Sequence, residues 1–280
     1  MLSLASSAPL AFAPVAPVRA PAARAAAPVM ETIADLEAMA PKLNPLVGYF
    51  NPLGLGEDTM SGPGYSSEGV IGYLRHSEIK HGRIAMAAFV GFIVQSNGIH
   101  FPWATSFSGL TYADIAANAA PAAQWDALPT AAKVQILLVI GLLEFWGESS
   151  TALAAAGQKH YWMGGKPGFY PSFEPFRKNF GHPVLDLFDP FGLSKNASPE
   201  RKQKGLLAEI NNGRLAMIGI MGFMAAASVE GSVPALSGLI AHYDGECMAP
   251  FSSTDTSLPL VSEMLSFPKL DSPAKLFPYN

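Results

Sequence analysis

Two stretches of this chain, 131 residues apart, carry almost the same fifteen-residue string, and each string puts charged side chains at the head of an apolar run. Residues 78–92 read EIKHGRIAMAAFVGF and residues 209–223 read EINNGRLAMIGIMGF; eight of the fifteen positions are identical, and Ile84/Leu215 is conservative. Two unrelated apolar helices would share Ala and Gly, but not a Glu, a Gly-Arg pair and a Phe at fixed spacing. A looser echo precedes each copy, Asn51-Pro52-Leu53-Gly54-Leu55 before the first and Asp189-Pro190-Phe191-Gly192-Leu193 before the second. The chain is therefore built from two related halves.

Each repeat opens a segment suited to a bilayer. From Ile84 to Trp103 there are twenty residues without Asp, Glu, Lys or Arg, about one crossing at ~1.5 Å per residue. The second runs uncharged from Leu215 to Val229, and a start near Gln203 gives it a similar length. Between them, Ala131 to Ala156 is apolar apart from Lys133, Gln135, Glu144, Glu148 and small polar residues. Composition agrees: charged residues are 14% of the chain against a usual ~25%, too few to cover an ordinary water-exposed surface. The expected architecture is an all-α membrane protein of three transmembrane helices, near 76–100, 131–156 and 203–229. The two repeat helices enter from the same side, which requires one crossing between them. The 26 Gly and 24 Pro place long surface loops between the helices. One cysteine excludes an intrachain disulfide, and a net charge of −4 argues against nucleic acid as a partner.

The charges at the repeat heads need partners. On a helix, residues i and i+3 lie about 60° apart and i and i+5 about 140° apart. Glu78 and His81 thus share a face while Arg83 points elsewhere, and Glu209 and Asn212 stand in the same relation to Arg214. An unpaired charge at membrane depth is costly, and its own helix supplies no convenient counter-ion. If the repeats pack about a local two-fold axis, Glu78 meets Arg214 and Glu209 meets Arg83. Gly82, Ala85, Ala88 and Gly91 form a row of small residues that Gly213, Ala216, Gly219 and Gly222 repeat in register, the usual device for close helix approach in lipid.

A carboxylate neutralised by Arg, with His or Asn one turn along, presents single outward donors. Such donors suit a metal that brings its own charge balance, as chlorophyll magnesium does when it needs one axial ligand, whereas bare Mg²⁺ wants several oxygens and waters. The two strings resemble the first and third membrane helices of the chlorophyll-binding light-harvesting complex family, whose signature pairs Glu-x-x-His-Gly-Arg with Glu-x-x-Asn-Gly-Arg. The resemblance covers roughly residues 45–230. It implies crossed helices with reciprocal Glu–Arg pairs, and Glu78, His81, Glu209 and Asn212 as axial ligands of chlorophyll magnesium, with Arg83 and Arg214 completing the site. It implies further that the NPLGL and DPFGL loops hold the ends of two central carotenoids. On the middle helix, Gln135 and Glu144 match the family's ligand positions, and their nine-residue separation turns them to opposite sides. Green-lineage members place an Arg three residues after that Glu; here Gly147 stands there, so the counter-ion of Glu144 is unidentified. A third-helix Gln of green members falls at Ala226, so that chlorophyll is expected to be absent or held differently. The leader, the short loops and the Gln135-to-Glu144 spacing most resemble the fucoxanthin chlorophyll a/c proteins of red-lineage plastids.

Residues 1–30 contain no acidic residue, two Arg and a run of Ala and Pro, the composition of an organelle targeting segment. Ala11-Phe12-Ala13-Pro14 resembles a cleavage signal for plastids of red secondary origin, and residues 31–280 are expected to form the pigment-binding domain. His76, His100, His160, His182 and His242 read as surface or interfacial histidines, with His242 also placed to hold a peripheral pigment. Trp103, Trp125, Trp146, Trp162 and Tyr161 read as interfacial belt residues. Residues 244–280 read as an extended tail on the membrane surface.

The function expected is that of a non-enzymatic antenna binding chlorophyll a, chlorophyll c and fucoxanthin or a related xanthophyll. It would lie as a multi-pass protein among plastid thylakoid lipids and pass excitation to a photosystem core and other antenna subunits, with homo- or hetero-oligomers as further assemblies. Within the same family the alternative is a photoprotective, energy-dissipating protein. Outside it stands a membrane di-iron carboxylate oxidase, since Glu-x-x-His on paired helices is also that site's ligand pattern; the oxidase needs a second His where this chain has Asn212.

Overall fold

The computed structural model describes residues 31–57, 66–181, 185–194, 196–247 and 249–266, so residues 1–30, expected to be a targeting segment, His182 and the last fourteen residues lie outside the described residues. The described chain is helical: α1 (Ile33–Leu43), α2 (Ser67–Ser96), α3 (Tyr112–Ala116), α4 (Pro121–Asp126), α5 (Thr130–Glu148), α6 (Ser150–Ala155), α7 (Glu174–Phe180), α8 (Pro199–Ser228) and α9 (Val261–Ser266). Among the described residues there is no strand, only an isolated bridge between Ala104 and Thr111.

The two repeats lie on the longest helices, α2 and α8, of 30 residues each. Both start earlier than the apolar runs suggest because the caps lie upstream. Ser66 accepts from the Gly69 amide, and Ser198 accepts from the Arg201 amide with Pro199 in the first turn. The middle segment is shorter than its apolar run. α5 ends at Glu148 because Ser149 turns to extended backbone and caps α6 through the Ala152 amide. Of the described helices, only α5 is long and apolar enough to cross a membrane by length and composition. α2 and α8 dilute their apolar C-terminal halves with charged N-terminal turns.

Among the described residues, α2 and α8 make the most extensive helix contact. Their backbones nearly touch at Gly82 and Gly213, where a Cβ added to Gly213 would lie 2.9 Å from the Gly82 Cα. Ala85 and Ala216 are buried one turn on. The row of small residues is not used along its whole length. Gly91 and Gly222 face open space, because helices that meet closely at one point separate away from it. Aromatic rings fill the widening gap: Phe223 stacks on Phe89 and Phe92 at 4.9 and 5.0 Å, and the Phe89 ring lies over Gly219.

The looser echo is structural as well. The Asn51 side chain accepts from the Leu55 amide at 3.0 Å, and the Asp189 carboxylate accepts from the Leu193 and Ser194 amides at 2.6 and 2.8 Å. Each turn carries a left-handed glycine, Gly54 at φ 61° and Gly192 at φ 70°.

The segment after α8 differs from the expected surface tail. It folds back on the start of α5, where Lys133 and Asp255, both 1% exposed or less, pair at 2.7 Å. Thr130 donates to Asp255, the Asp126 carbonyl accepts from Lys133, and Trp125 donates to the Pro250 carbonyl. A fully buried lysine needs an anion, and this segment supplies it. Much of the apolar surface faces outward: Leu138, Val139, Ile140, Leu142 and Phe145 of α5 are each at least half exposed, as are Ile84, Val90, Leu215 and Ile218 on the repeat helices.

Candidate ligand site at the repeat interface

Both pairings that helix geometry required are present. Arg83 Nε donates to Glu209 Oε1 at 2.6 Å, and Arg214 Nε donates to Glu78 Oε1 at 2.7 Å. Each arginine lies five residues after a glutamate of its own helix, points away from it, and reaches the opposite helix across the Gly82–Gly213 contact. The close backbone approach brings the four charges together, so the packing and the electrostatics depend on one another.

The surroundings of the two pairs differ. Against the expectation that its own helix offers no counter-ion, Glu78 also accepts from Arg75 one turn earlier on α2; the Arg75 Nε reaches Glu31 at 2.9 Å, so that a chain of alternating charges ties the residue ahead of the α1 cap to both repeat helices. Arg83 instead donates a second hydrogen bond to the Gly168 carbonyl at 2.7 Å. The same glycine donates its N–H to His76 Nδ1, so one loop residue is held by two side chains of α2. Gly168 has φ +71°, and its missing Cβ leaves room for Ile79. A cavity of about 330 Å³ lies beside Glu78, between α1 with the turn after it and the charged ends of α2 and α8.

His81 is exposed one turn after Glu78, and its Nδ1 lies 2.8 Å from the Ser77 carbonyl. Donation to that carbonyl fixes the proton on Nδ1 and leaves the Nε2 lone pair free to act as a ligand. Asn212 is exposed one turn after Glu209. Gln135 and Glu144 are both exposed on α5, nine residues apart. These donors stay dispersed: among the described residues no three His, Cys, Asp or Glu side chains group as a metal site. The Glu209 carboxylate is turned to Arg83, and the Glu78 carboxylate to Arg214 and Arg75. That is the donor chemistry of single axial ligands and unlike a di-iron cage.

Glu144 and Glu148 have a counter-ion that the sequence did not reveal. Lys80 of α2 lies 2.5 Å from Glu144 and 3.4 Å from Glu148. Glu148 also meets His160 at 2.7 Å and the Tyr161 hydroxyl. Burial, together with the Glu148 carboxylate, pushes Tyr161 up to about 12, so its hydroxyl remains a donor. His76, read as a surface histidine, is buried and stacks on Tyr161 with ring centroids 3.9 Å apart. The α2 start that carries it is covered by residues 161–163, and Tyr161 and Trp162 pack inward on His76 and Tyr73. A period-3.6 pattern could have flagged His76, four residues before Lys80 on the same face, but nothing in the sequence named the covering segment.

Comparison with known proteins gives a consistent result. The family model described as "Chlorophyll A-B binding protein" matches residues 35–228. The chain is 32% identical over 190 residues to a fucoxanthin-chlorophyll a-c binding protein of Trieres chinensis, covering 68% of this chain and 78% of that one. It is 34% identical over 180 residues to fucoxanthin-chlorophyll a-c binding protein C of Phaeodactylum tricornutum, covering 64% and 74%. To protein B of the same organism it is 30% identical over 209 residues, 75% of this chain and 85% of that protein.

Proposed function

The chain belongs to the chlorophyll A-B binding protein family, and from that premise we propose that it is a plastid light-harvesting antenna of the fucoxanthin chlorophyll a/c type. It is a pigment-binding protein and not an enzyme: no bond is made or broken, and its residues hold and tune pigments. The cofactors are chlorophyll a, chlorophyll c and fucoxanthin, in keeping with the names of its relatives.

The observation that carries the reading is the pair of reciprocal bridges, Arg83 to Glu209 and Arg214 to Glu78. Glu209 is neutralised by Arg83 with one oxygen left over, and Glu78 by Arg214 and Arg75 with a second lone pair on each oxygen, which fits a magnesium already neutralised by its macrocycle. His81, with Nδ1 engaged at Ser77, offers Nε2 to a second such group, and Asn212 offers a neutral amide oxygen at the equivalent position. Gln135 and Glu144 serve two further pigments on opposite sides of α5. Bound chlorophyll supplies light absorption and excitation transfer. The chain fixes each macrocycle's position, excludes water from it and sets the charge beside it.

The outward apolar residues of α2, α5 and α8 support three thylakoid crossings, with lipid and pigment as their cover. At ~1.5 Å per residue, the 19 residues of α5 span about 28 Å, close to the ~30 Å hydrocarbon core. In this reading the repeat helices cross about a local two-fold axis through Gly82 and Gly213, residues 1–30 direct import, and residues 31–280 form the mature antenna. Its partners are other antenna subunits and a photosystem core.

The test is the purified protein's pigment extract together with its fluorescence excitation spectrum. Chlorophyll c and a keto-carotenoid that both sensitise chlorophyll a emission are expected. A colourless protein overturns the reading. A nanosecond emission lifetime supports harvesting, and a strongly shortened one in the isolated protein supports the energy-dissipating role instead.

A further inference from the structure

The middle helix presents two carboxylates, Glu144 and Glu148, at i and i+4 on one face, a like-charged arrangement that is unfavourable without a cation. Its own sequence brings none nearby, since Gly147 stands where a same-helix arginine would reach Glu144. Lys80 arrives from α2, two residues after Glu78 and therefore on the side of that helix turned away from it. Its ammonium lies between the two carboxylates, 2.5 Å from Glu144 Oε2 and 3.4 Å from Glu148 Oε1.

The two carboxylates are not equivalent. Glu148 is filled with donors: His160 on Oε2, Lys80 on Oε1 and the Tyr161 hydroxyl. His76 approaches the same carboxylate without reaching hydrogen-bond distance. Its Nδ1 accepts from the Gly168 amide at 3.1 Å, so a neutral ring carries its proton on Nε2, which faces Glu148 Oε1 at 3.7 Å. Glu144 is 55% exposed and gives one oxygen to Lys80, while its Oε1 makes no hydrogen bond among the described residues.

We propose that Lys80 is the positioning residue of the middle-helix pigment site: held by Glu148, it neutralises Glu144 and aims that carboxylate's free oxygen outward as an axial ligand. Glu148 is then an anchor for the lysine and no ligand. The inference rests on the antenna reading and deepens it, by giving Glu144 across the helix interface the cation that its own helix lacks. It also makes the pigment on α5 dependent on the docking of α5 against α2.

The experiment is reconstitution of the full chain with chlorophylls and fucoxanthin, followed by a pigment count. Lys80→Met should hold one chlorophyll fewer than wild type, with a matching bleach in the chlorophyll a absorption band, whereas Lys80→Arg should keep the wild-type count. The double variant Lys80→Met/Glu144→Gln should regain the lost chlorophyll, because an amide ligand needs no counter-ion. A wild-type count in Lys80→Met overturns the proposal. So does a double variant no better than the single, including the case where the single fails to fold. Independently of pigment, a zero-length carbodiimide should couple Lys80 to Glu144 or Glu148, read by mass spectrometry; absence of that product overturns the pairing. If wild type itself takes up no chlorophyll, it is the antenna reading that fails, an outcome distinct from full wild-type loading with unaltered Lys80→Met.

Discussion

Replacing Arg83 with leucine should cost the pigment proposed at Glu209. Two contacts vanish: the 2.6 Å bridge to Glu209 and the 2.7 Å bond to the Gly168 carbonyl. Unit charges ~4 Å apart at an effective dielectric of ~20 interact by ~4 kcal/mol. The Arg83 and Glu209 side chains retain 40% and 27% exposure in the protein alone, so solvent screening lowers that figure before lipid and pigment cover them. Stranding the carboxylate in the covered state costs roughly 3 kcal/mol, at the low end of the range for a broken buried pair. At ~1.4 kcal/mol per factor of ten, this is a weakening of pigment retention on the order of 100-fold. The assay is refolding of the denatured chain with extracted pigments, followed by chromatographic counting and thermal loss of visible circular dichroism. Arg83→Leu should hold at least one chlorophyll fewer and lose its visible signal at lower temperature. Arg83→Leu/Glu209→Gln removes both charges and should recover most of the loss, which separates neutralisation from the lost Gly168 anchor. Full stoichiometry in Arg83→Leu, or a double variant as impaired as the single, would refute the reasoning.

Gly213→Val places its Cβ 2.9 Å from the Gly82 backbone, where the neighbour is main chain and cannot swing away; pigmented protein should not assemble, and recovery of wild-type thermal stability would contradict the packing described. His81→Val should remove one chlorophyll and leave the Glu78 and Glu209 bridges intact, checked by pigment count and melting temperature. Lys133→Met strands the buried Asp255 at a cost of roughly 3–5 kcal/mol, so the segment 249–266 should become protease-sensitive. Burial raises the Asp255 carboxyl, but hydrogen bonds from Lys133, Thr130 and the Ser252 amide outweigh it and hold the group at about 2, below its ordinary 3.8. A depressed carboxyl stabilises the fold above its ordinary value and loses that contribution as pH falls through about 2. The segment should therefore stay docked and protected from pH 7 down to pH 4, and its release within that range would contradict the assignment.

The parts of this fold that are legible in the sequence are those that repeat or that obey a helical period. The Glu-to-Arg spacing of five forbids a same-helix pair, so Arg83 and Arg214 announce their partners as soon as the second copy is found. The Gly82–Gly213 contact follows from the same register. Partnerships without a periodic trace are illegible. Lys80 and Glu144 are 64 residues apart and Lys133 and Asp255 122 apart, and in each case local sequence shows only an unsatisfied charge. Physical cost says that such a charge must be paired, but choosing the partner requires the loop path. The inward turn of Tyr161 on His76 was hidden for the same reason. The break between α5 and α6 rests on one backbone turn at Ser149, which the polar stretch Glu148-Ser149-Ser150-Thr151 does not by itself locate.

In the pigment-loaded protein the repeats should neutralise each other's ligand carboxylates and turn the remaining donors outward to pigments. An electron cryo-microscopy map of that protein decides the matter. The expected result is magnesium density at coordination distance from Glu78, His81, Glu209 and Asn212, with Arg83 and Arg214 still bridged across the two helices. Magnesium centres held by other residues, or arginines turned away from the opposite glutamates in the loaded protein, would contradict it.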